Sequence, residues 1–370
     1  MQVPGTEFNW IFNLIFIVMF LFIYLYGRRF ESYIWTKQAE AELAQLEALS
    51  NQGRAIARQT IKELGFKQQE IKPILNRFLE YFVIEPVDRD PTGVIGRIDH
   101  LLTVRQDEYE EEMAQLAKFA PYATEEELAN AESVLSGVMA LNYVYRVVRH
   151  FLLLGKKTKS IYFIMQLQMQ LPMILQMAKA YFEAVRAFSD GMPIGDGIGP
   201  LIIAQLADEI GATPPESILS RTIAQEGELE GRILHLIRAK GPASFVGHPG
   251  KAVETLVELE KGNVAMVITV SAGITIKKEE HGTIIRGVGA AIGDAGPEKI
   301  AAEESCQKYN IPLYAIIIKE TEDEVLAPMN LSLVKAVPRA IQQIEARILS
   351  RSKKGDVIII AGIGNSVGIA

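Results

Sequence analysis

The spacing of apolar and polar positions divides the chain into three stretches of different rhythm. The first is Trp10 to Tyr26, an apolar run of seventeen residues broken only by Asn13, near the ~20 residues with which a helix crosses a bilayer. Glu7 precedes it and Arg28, Arg29 and Lys37 follow, the reverse of a signal peptide. A buried core helix is the alternative, but such a run leaves no polar face. Trp10, Tyr24, Tyr26 and Trp35 suit the two interfaces, and the basic residues after the run mark the inner side. The expectation is a single-pass anchor in the bilayer through residues 10–26, with the N-terminus outside and the bulk of the chain cytoplasmic at the cell membrane.

The second stretch has helical spacing. Thr36–Leu64 ends at Gly65, and Gln68–Val83 continues despite Pro73. Residues 84–98, with Pro86 and Pro91, read as a loop. An acidic helix over 101–119 follows, its charges at 107–112 read as a solvated face. Thr124 and Glu127 form a Thr-x-x-Glu capping box that opens a helix to about Leu154. Lys156 to Lys159 turn the chain into a last helix, Ser160–Phe188, kinked at Pro172. Met165, Met169, Met173 and Met177 recur on it every four residues. They either pack as core against the 125–154 helix or form an adaptable groove for a protein partner.

The third stretch begins at Ser189–Pro200, where Gly191, Gly195, Gly197 and Gly199 precede Pro200 at the start of a helix over 201–210 that stops at Gly211. Thereafter short strands alternate with helices. Strands are predicted at 217–224, 232–238, 265–271, 283–286, 313–319 and 357–361, and helices at 250–261, 297–309 and 330–351. The runs Ala265–Val270 and Val357–Ile360 are uniformly apolar, as strands covered on both faces are. The fold class is therefore α/β: an N-terminal transmembrane helix, an all-α middle region, and a C-terminal three-layer α/β/α domain with a mainly parallel sheet. The expected domains are 1–35, 36–189 and 190–370.

Composition narrows the chemistry. A net charge of −7 argues against a nucleic-acid partner. The single cysteine, Cys306, excludes an internal disulfide, and five scattered histidines show no zinc-ligand spacing. No metal site is expected; a cofactor and an oligomeric state are left open. Glycine loops at the carboxyl ends of parallel strands converge on one crevice, and four glycine-rich turns occur: 189–200, 241–251, 287–294 and 362–365. Gly247–Lys251 lacks full phosphate-loop spacing, and Gly287-x-Gly289-x-x-x-Gly293 misses the dinucleotide fingerprint by one residue. No nucleophile motif with its base is present. The candidate catalytic residues are Asp196 and Ser271; the candidate ligand-binding residues are Gly195, Gly197, Gly199, His248, Gly364 and Asn365.

Gly364-Asn365 after a terminal strand, and Gly195-Asp196-Gly197-Ile198-Gly199-Pro200 opening a helix, resemble two halves of a pattern found in hydrogenase-maturation and germination-type proteases. There the strand comes first and the acidic loop follows shortly; here they lie at opposite ends of the region. Residues 190–370 thus resemble a circularly permuted form of that phosphorylase/hydrolase-like fold, provided strand 357–361 lies beside helix 201–210. The resemblance carries Asp196 over by motif. The family's second carboxylate stands at the end of a central strand, where Ser271 falls here, so a two-carboxylate or metal-dependent peptidase site is not implied. The whole chain resembles an uncharacterised archaeal family of membrane-anchored proteins, which implies topology but no activity.

Two functions follow as expectations. One is a tethered cytoplasmic α/β domain that binds a small polar or anionic ligand, with hydrolysis of that ligand as its catalytic form. The other is a non-enzymatic membrane scaffold that recruits a protein through its helices.

Overall fold

A computed structural model describes residues 7–80, 96–105, 117, 120–275, 279–293 and 296–370. The loop expected at 84–98 and the acidic helix expected at 101–119 lie largely outside these residues; 96–105 are helical. The chain divides into two compact units, residues 1–52 with 140–179, and residues 53–139 with 180–370.

Helices α1 (Glu7–Glu63), α3 (Glu125–Thr158) and α4 (Ile161–Asp190) contribute to both units; α2 (Gln68–Glu80) lies in the second. In the first unit Ala39, Leu46, Leu141, Leu152, Ile164 and Leu171 are buried. Gly155 lets α3 approach α4 there, because a Cβ would meet the Ile164 side chain at 2.6 Å. The expected membrane-spanning anchor at 10–26 is overturned: among the described residues no helix is long and apolar enough to cross a membrane. The side chains from Phe12 to Leu21 are exposed. They belong to one 57-residue helix that continues through charged sequence. The N-out topology and the bilayer partner were inferred from that anchor and lose its support, which by itself decides neither.

The second unit is built on one seven-stranded sheet. Its strands are β1 (Glu216–Leu219), β2 (Thr222–Leu229), β3 (Arg232–Ala239), β4 (Met266–Ile274), β5 (Ile284–Val288), β6 (Leu313–Glu320) and β7 (Val357–Gly362), in spatial order β1-β2-β3-β7-β4-β6-β5. The joins β3–β7, β7–β4 and β4–β6 are parallel, whereas β1–β2, β2–β3 and β5–β6 are antiparallel. The sheet is therefore mixed, not mainly parallel. The reason is local: a two-residue turn can join only antiparallel strands. The Glu230–Gly231 turn, with φ 44° and 83°, is such a hairpin turn. The strand expected at 217–224 is likewise two strands, broken at Ser220–Arg221.

Helices cover both faces. On one side α5 (Ile198–Ile210) and α9 (Leu331–Arg351) bury Ile202, Ile203, Leu206, Ile341 and Ile344 against Leu236, Ile268, Ile316 and Ile360. On the other, α6 (Pro249–Leu259) and α7 (Pro297–Lys308) bury Val253, Val257 and Ala302 against Ile237, Val267 and Ile359. A short α8 (Glu322–Leu326) follows β6. Helix α5 ends where Gly211 takes φ 63°; Gly211 N and Ala212 N donate to Asp208 O and Ala207 O at 3.2 and 2.9 Å, a C-cap that glycine favours.

Strand β7 lies mid-sheet with all six residues buried. Truncation at its centre, Ile360→Ala, is expected to lower the urea-measured unfolding free energy by about 2–5 kcal/mol. Ile285→Ala, on the half-open edge strand β5, is expected to cost under ~1 kcal/mol.

Candidate functional site

The site forms where the segment before α5 meets the turn after β7. Residues Gly195–Gly197 make a 3-10 turn that leads directly into α5. A Cβ on Gly199 would press on the backbone oxygens of Val270 and Ile363, and one on Gly197 would lie 2.8 Å from Asn365 O. Gly364, at φ 137°, would bring a Cβ onto the Asp196 carbonyl. These glycines therefore pack backbone directly on backbone. The product is one site from two stretches 169 residues apart, joined by Asn365 N donating to Asp196 Oδ2 at 2.8 Å.

The Asn365 side chain is turned the other way and locks the loop. Its Nδ2 donates to Ser244 Oγ at 3.1 Å, and its Oδ1 accepts from Val367 N at 2.8 Å. Ser244 is held in turn by α3 of the same unit: Ser133 Oγ donates to Ser244 Oγ at 2.8 Å, and Ser244 N donates to Asn130 Oδ1 at 3.0 Å. Ser366, fully buried, has its Oγ 2.8 Å from both the Lys240 and Ala243 carbonyl oxygens, either of which can accept its one hydroxyl proton.

Reading the sequence alone missed Glu320, the last residue of β6. Ile316, Ile318 and Glu320 alternate onto the sheet face that α5 covers. Glu320 is 0% exposed, and neither of its carboxyl oxygens has a hydrogen-bond partner. The Gly195 backbone lies directly over it, so a Cβ there would overlap Glu320 Oε2 and the Glu324 carbonyl. Burial pushes the Glu320 carboxyl up to about 8, and the charges of Asp196 and Glu324 add to the effect. Asp196 is pushed to about 6 by burial, opposed by the hydrogen bond from Asn365. In Glu324, burial works against ionisation, but hydrogen bonds from Thr321 and His281 outweigh it and hold the carboxyl below its ordinary value. His281 Nδ1 is 2.7 Å from Glu324 Oε1, and Asn330 Nδ2 donates to the same oxygen at 2.5 Å. The sequence signal for Glu320 was a lone carboxylate closing an apolar strand; its burial comes from a loop far away in the chain.

The other candidates fall elsewhere. Ser271, in β4 opposite Ile317, points to the face opposite Val270 and so away from α5. His248 caps α6 beside a cleft of about 600 Å³ lined by Arg221, Lys251 and Glu298 among others. Its Nδ1 is 3.0 Å from Glu298 Oε1, while Glu298 Oε2 accepts from Gly250 N and Lys251 N at 2.8 and 3.0 Å. The helix start that resembled part of a phosphate loop thus holds the chain's own carboxylate. In that cleft Lys251 pairs with Asp99 at 3.0 Å and Arg221 with Glu132 at 3.4 Å. Met165, Met169, Met173 and Met177 are exposed, whereas the core face of α4 is Ile164, Leu167 and Leu171. Cys306 is buried, and burial pushes its thiol up to about 11. Among the described residues no group of three or more His, Cys, Asp or Glu is placed to hold a metal ion.

Comparison with known proteins gives a family without an activity. The N-terminal domain of a protein of unknown function, DUF1512, matches residues 13–191, and the C-terminal domain of the same family matches residues 194–370. No curated protein matches the chain. Among solved structures, a peptidyl-tRNA hydrolase from Acinetobacter baumannii is similar at 15% identity over 43% of this chain and 80% of its own, with a TM-score of 0.32. A peptidyl-tRNA hydrolase in complex with N-propanol is similar at 15% identity over 42% and 78%, with a TM-score of 0.31. Likeness of that extent says nothing of what this chain does.

The close backbone approach is testable. Gly199→Ala is expected to destabilise by about 1–3 kcal/mol, because backbone oxygens cannot swing aside. Gly293→Ala, with nothing within 4 Å of its Cβ position, is expected to stay within ~0.5 kcal/mol; denaturant midpoints measure both.

Proposed function

We propose that this chain, which belongs to the DUF1512 family, is an acid–base hydrolase of an amide or ester bond, with Asp196 and Glu320 as its working groups. The observation that carries the reading is Glu320: a fully buried carboxyl without a hydrogen-bond partner, close enough to Asp196 to feel its charge. A structural carboxylate would be paired. Two carboxyls pushed to different values are the usual arrangement for an acid and a base working together. With values of about 6 and about 8, at pH 7 Asp196 is mostly ionised and Glu320 mostly protonated.

In the reaction, Asp196 takes a proton from water as the water oxygen attacks the carbonyl carbon. Glu320 gives its proton to the departing nitrogen or oxygen as the bond to carbon breaks. The proton gained by Asp196 then passes to Glu320, and the pair is restored. The backbone of Gly195 covers Glu320, so substrate enters only when the segment before α5 lifts. Among the ligand-binding candidates, Asn365 and Gly364 act here by fixing Asp196, and Gly195 by lying over Glu320.

A second reading, a non-enzymatic scaffold that binds a protein partner, is favoured by the exposure of Met165, Met169, Met173 and Met177.

Activity against a panel of nitrophenyl esters and peptide anilides tests the first reading. The kcat/KM profile is expected to be bell-shaped with limbs near 6 and 8, and Asp196→Asn or Glu320→Gln to lose about 10²–10⁴-fold. Any activity that survives both substitutions unchanged overturns it. The same pair predicts a pH dependence of stability. Folded carboxyl values above their ordinary range near 4 mean that the unfolded chain releases protons first, so stability falls as pH rises through 6 and levels off above about 8. Glu320→Gln is therefore expected to raise Tm more at pH 8 than at pH 5, as followed by thermal denaturation.

A further inference from the structure

We infer that the methionine face of α4 is the contact through which two copies of this chain associate. From Ile161 to Ala178 no residue is charged. Ile164, Leu167, Leu171 and Ala178 are buried on one side of the helix. Tyr162, Met165, Met169, Met173 and Met177 fall within about 120° of arc on the other, at 100° per residue. Met169 and Met173 are 76% and 67% exposed. The same arc carries Gln166 and Gln176, both exposed, so the face is uncharged with methionine as its main apolar content. An uncharged helix face with so much open apolar surface is ordinarily covered.

The occupant follows from geometry and area. Met165, Met169, Met173 and Met177 form one ridge of i, i+4 neighbours, and two such ridges interdigitate in the commonest mode of helix packing. A ridge of this kind is complementary to itself, as a two-fold contact requires. With roughly 200 Å² for a large free side chain, the five residues leave open on the order of 550 Å² per copy. That exceeds half of the ~800 Å² per partner in a standard interface, and the absence of charge matches an interface core. No charged residue on the stripe marks it for a partner of opposite charge. Methionine gives the ridge the side-chain freedom to fit its own copy.

Light scattering after size exclusion of the full chain is expected to give twice the chain mass for the wild type and a single chain mass for Met169→Glu/Met173→Glu. Far-UV circular dichroism and the urea midpoint check that the variant is folded. Independently, Met173→Cys is expected to form a disulfide-linked dimer on mild oxidation, whereas Tyr122→Cys, on an exposed turn, is not; the native Cys306 is buried. A wild type of single-chain mass overturns the inference. So does a variant that keeps the double mass, a Met173→Cys chain that never cross-links, or a monomer that binds phosphatidylcholine vesicles through this face.

Discussion

Backbone lying directly on backbone, where residues 195–199 cross the turn after β7, constrains the whole α/β unit. Gly197, Gly199, Gly362 and Gly364 each face another main chain at a distance no Cβ would tolerate. That contact seats the first turn of α5 at the carboxyl end of the central strand, so the face of α5 that carries Ile202, Ile203 and Leu206 meets the sheet. It also delivers the Asn365 N–H to Asp196. Fold and site thus share one cause.

The same approach creates an electrostatic cost. Gly195, drawn over the end of β6, removes Glu320 from water and supplies no donor in return. An isolated carboxylate in such a place ordinarily keeps its proton. Asp196, a short way off, is held partly charged by the Asn365 N–H. Two like groups are thereby driven into different states by unequal surroundings. Glu324 adds negative potential while being tied to Thr321, His281 and Asn330. Serine and asparagine side chains behind Asn365 hold the turn without touching either carboxyl, which makes them positioning groups.

Much of this framework was legible in local sequence. The Thr124–Glu127 capping box is present, with Thr124 N to Glu127 Oε2 at 2.8 Å and Glu127 N to Thr124 Oγ1 at 3.1 Å. The uniformly apolar runs of β4 and β7 are paired mid-sheet, and the glycine segment and Asn365 are neighbours. What failed to show depended on tertiary context or on weak turn chemistry. The β1–β2 turn uses Arg221 at φ 56°, a left-handed position that gives no glycine signal. Glu320 reads locally as a solvated strand end, because its burial is imposed by a loop over a hundred residues away. The apolar run at 10–26 was read by its length, whereas the helix that contains it is continuous with a charged segment.

The central claim is that Asp196 and Glu320 hold different protonation states at neutral pH. Carbon-13 NMR titration of the side-chain carboxyls, assigned by loss of one resonance in Asp196→Asn and another in Glu320→Gln, tests it most directly. The account predicts that Asp196 titrates near 6 and Glu320 near 8, so that at pH 7 the pair holds one proton, carried by Glu320. Two carboxyls that both ionise near 4, as exposed side chains do, would contradict it.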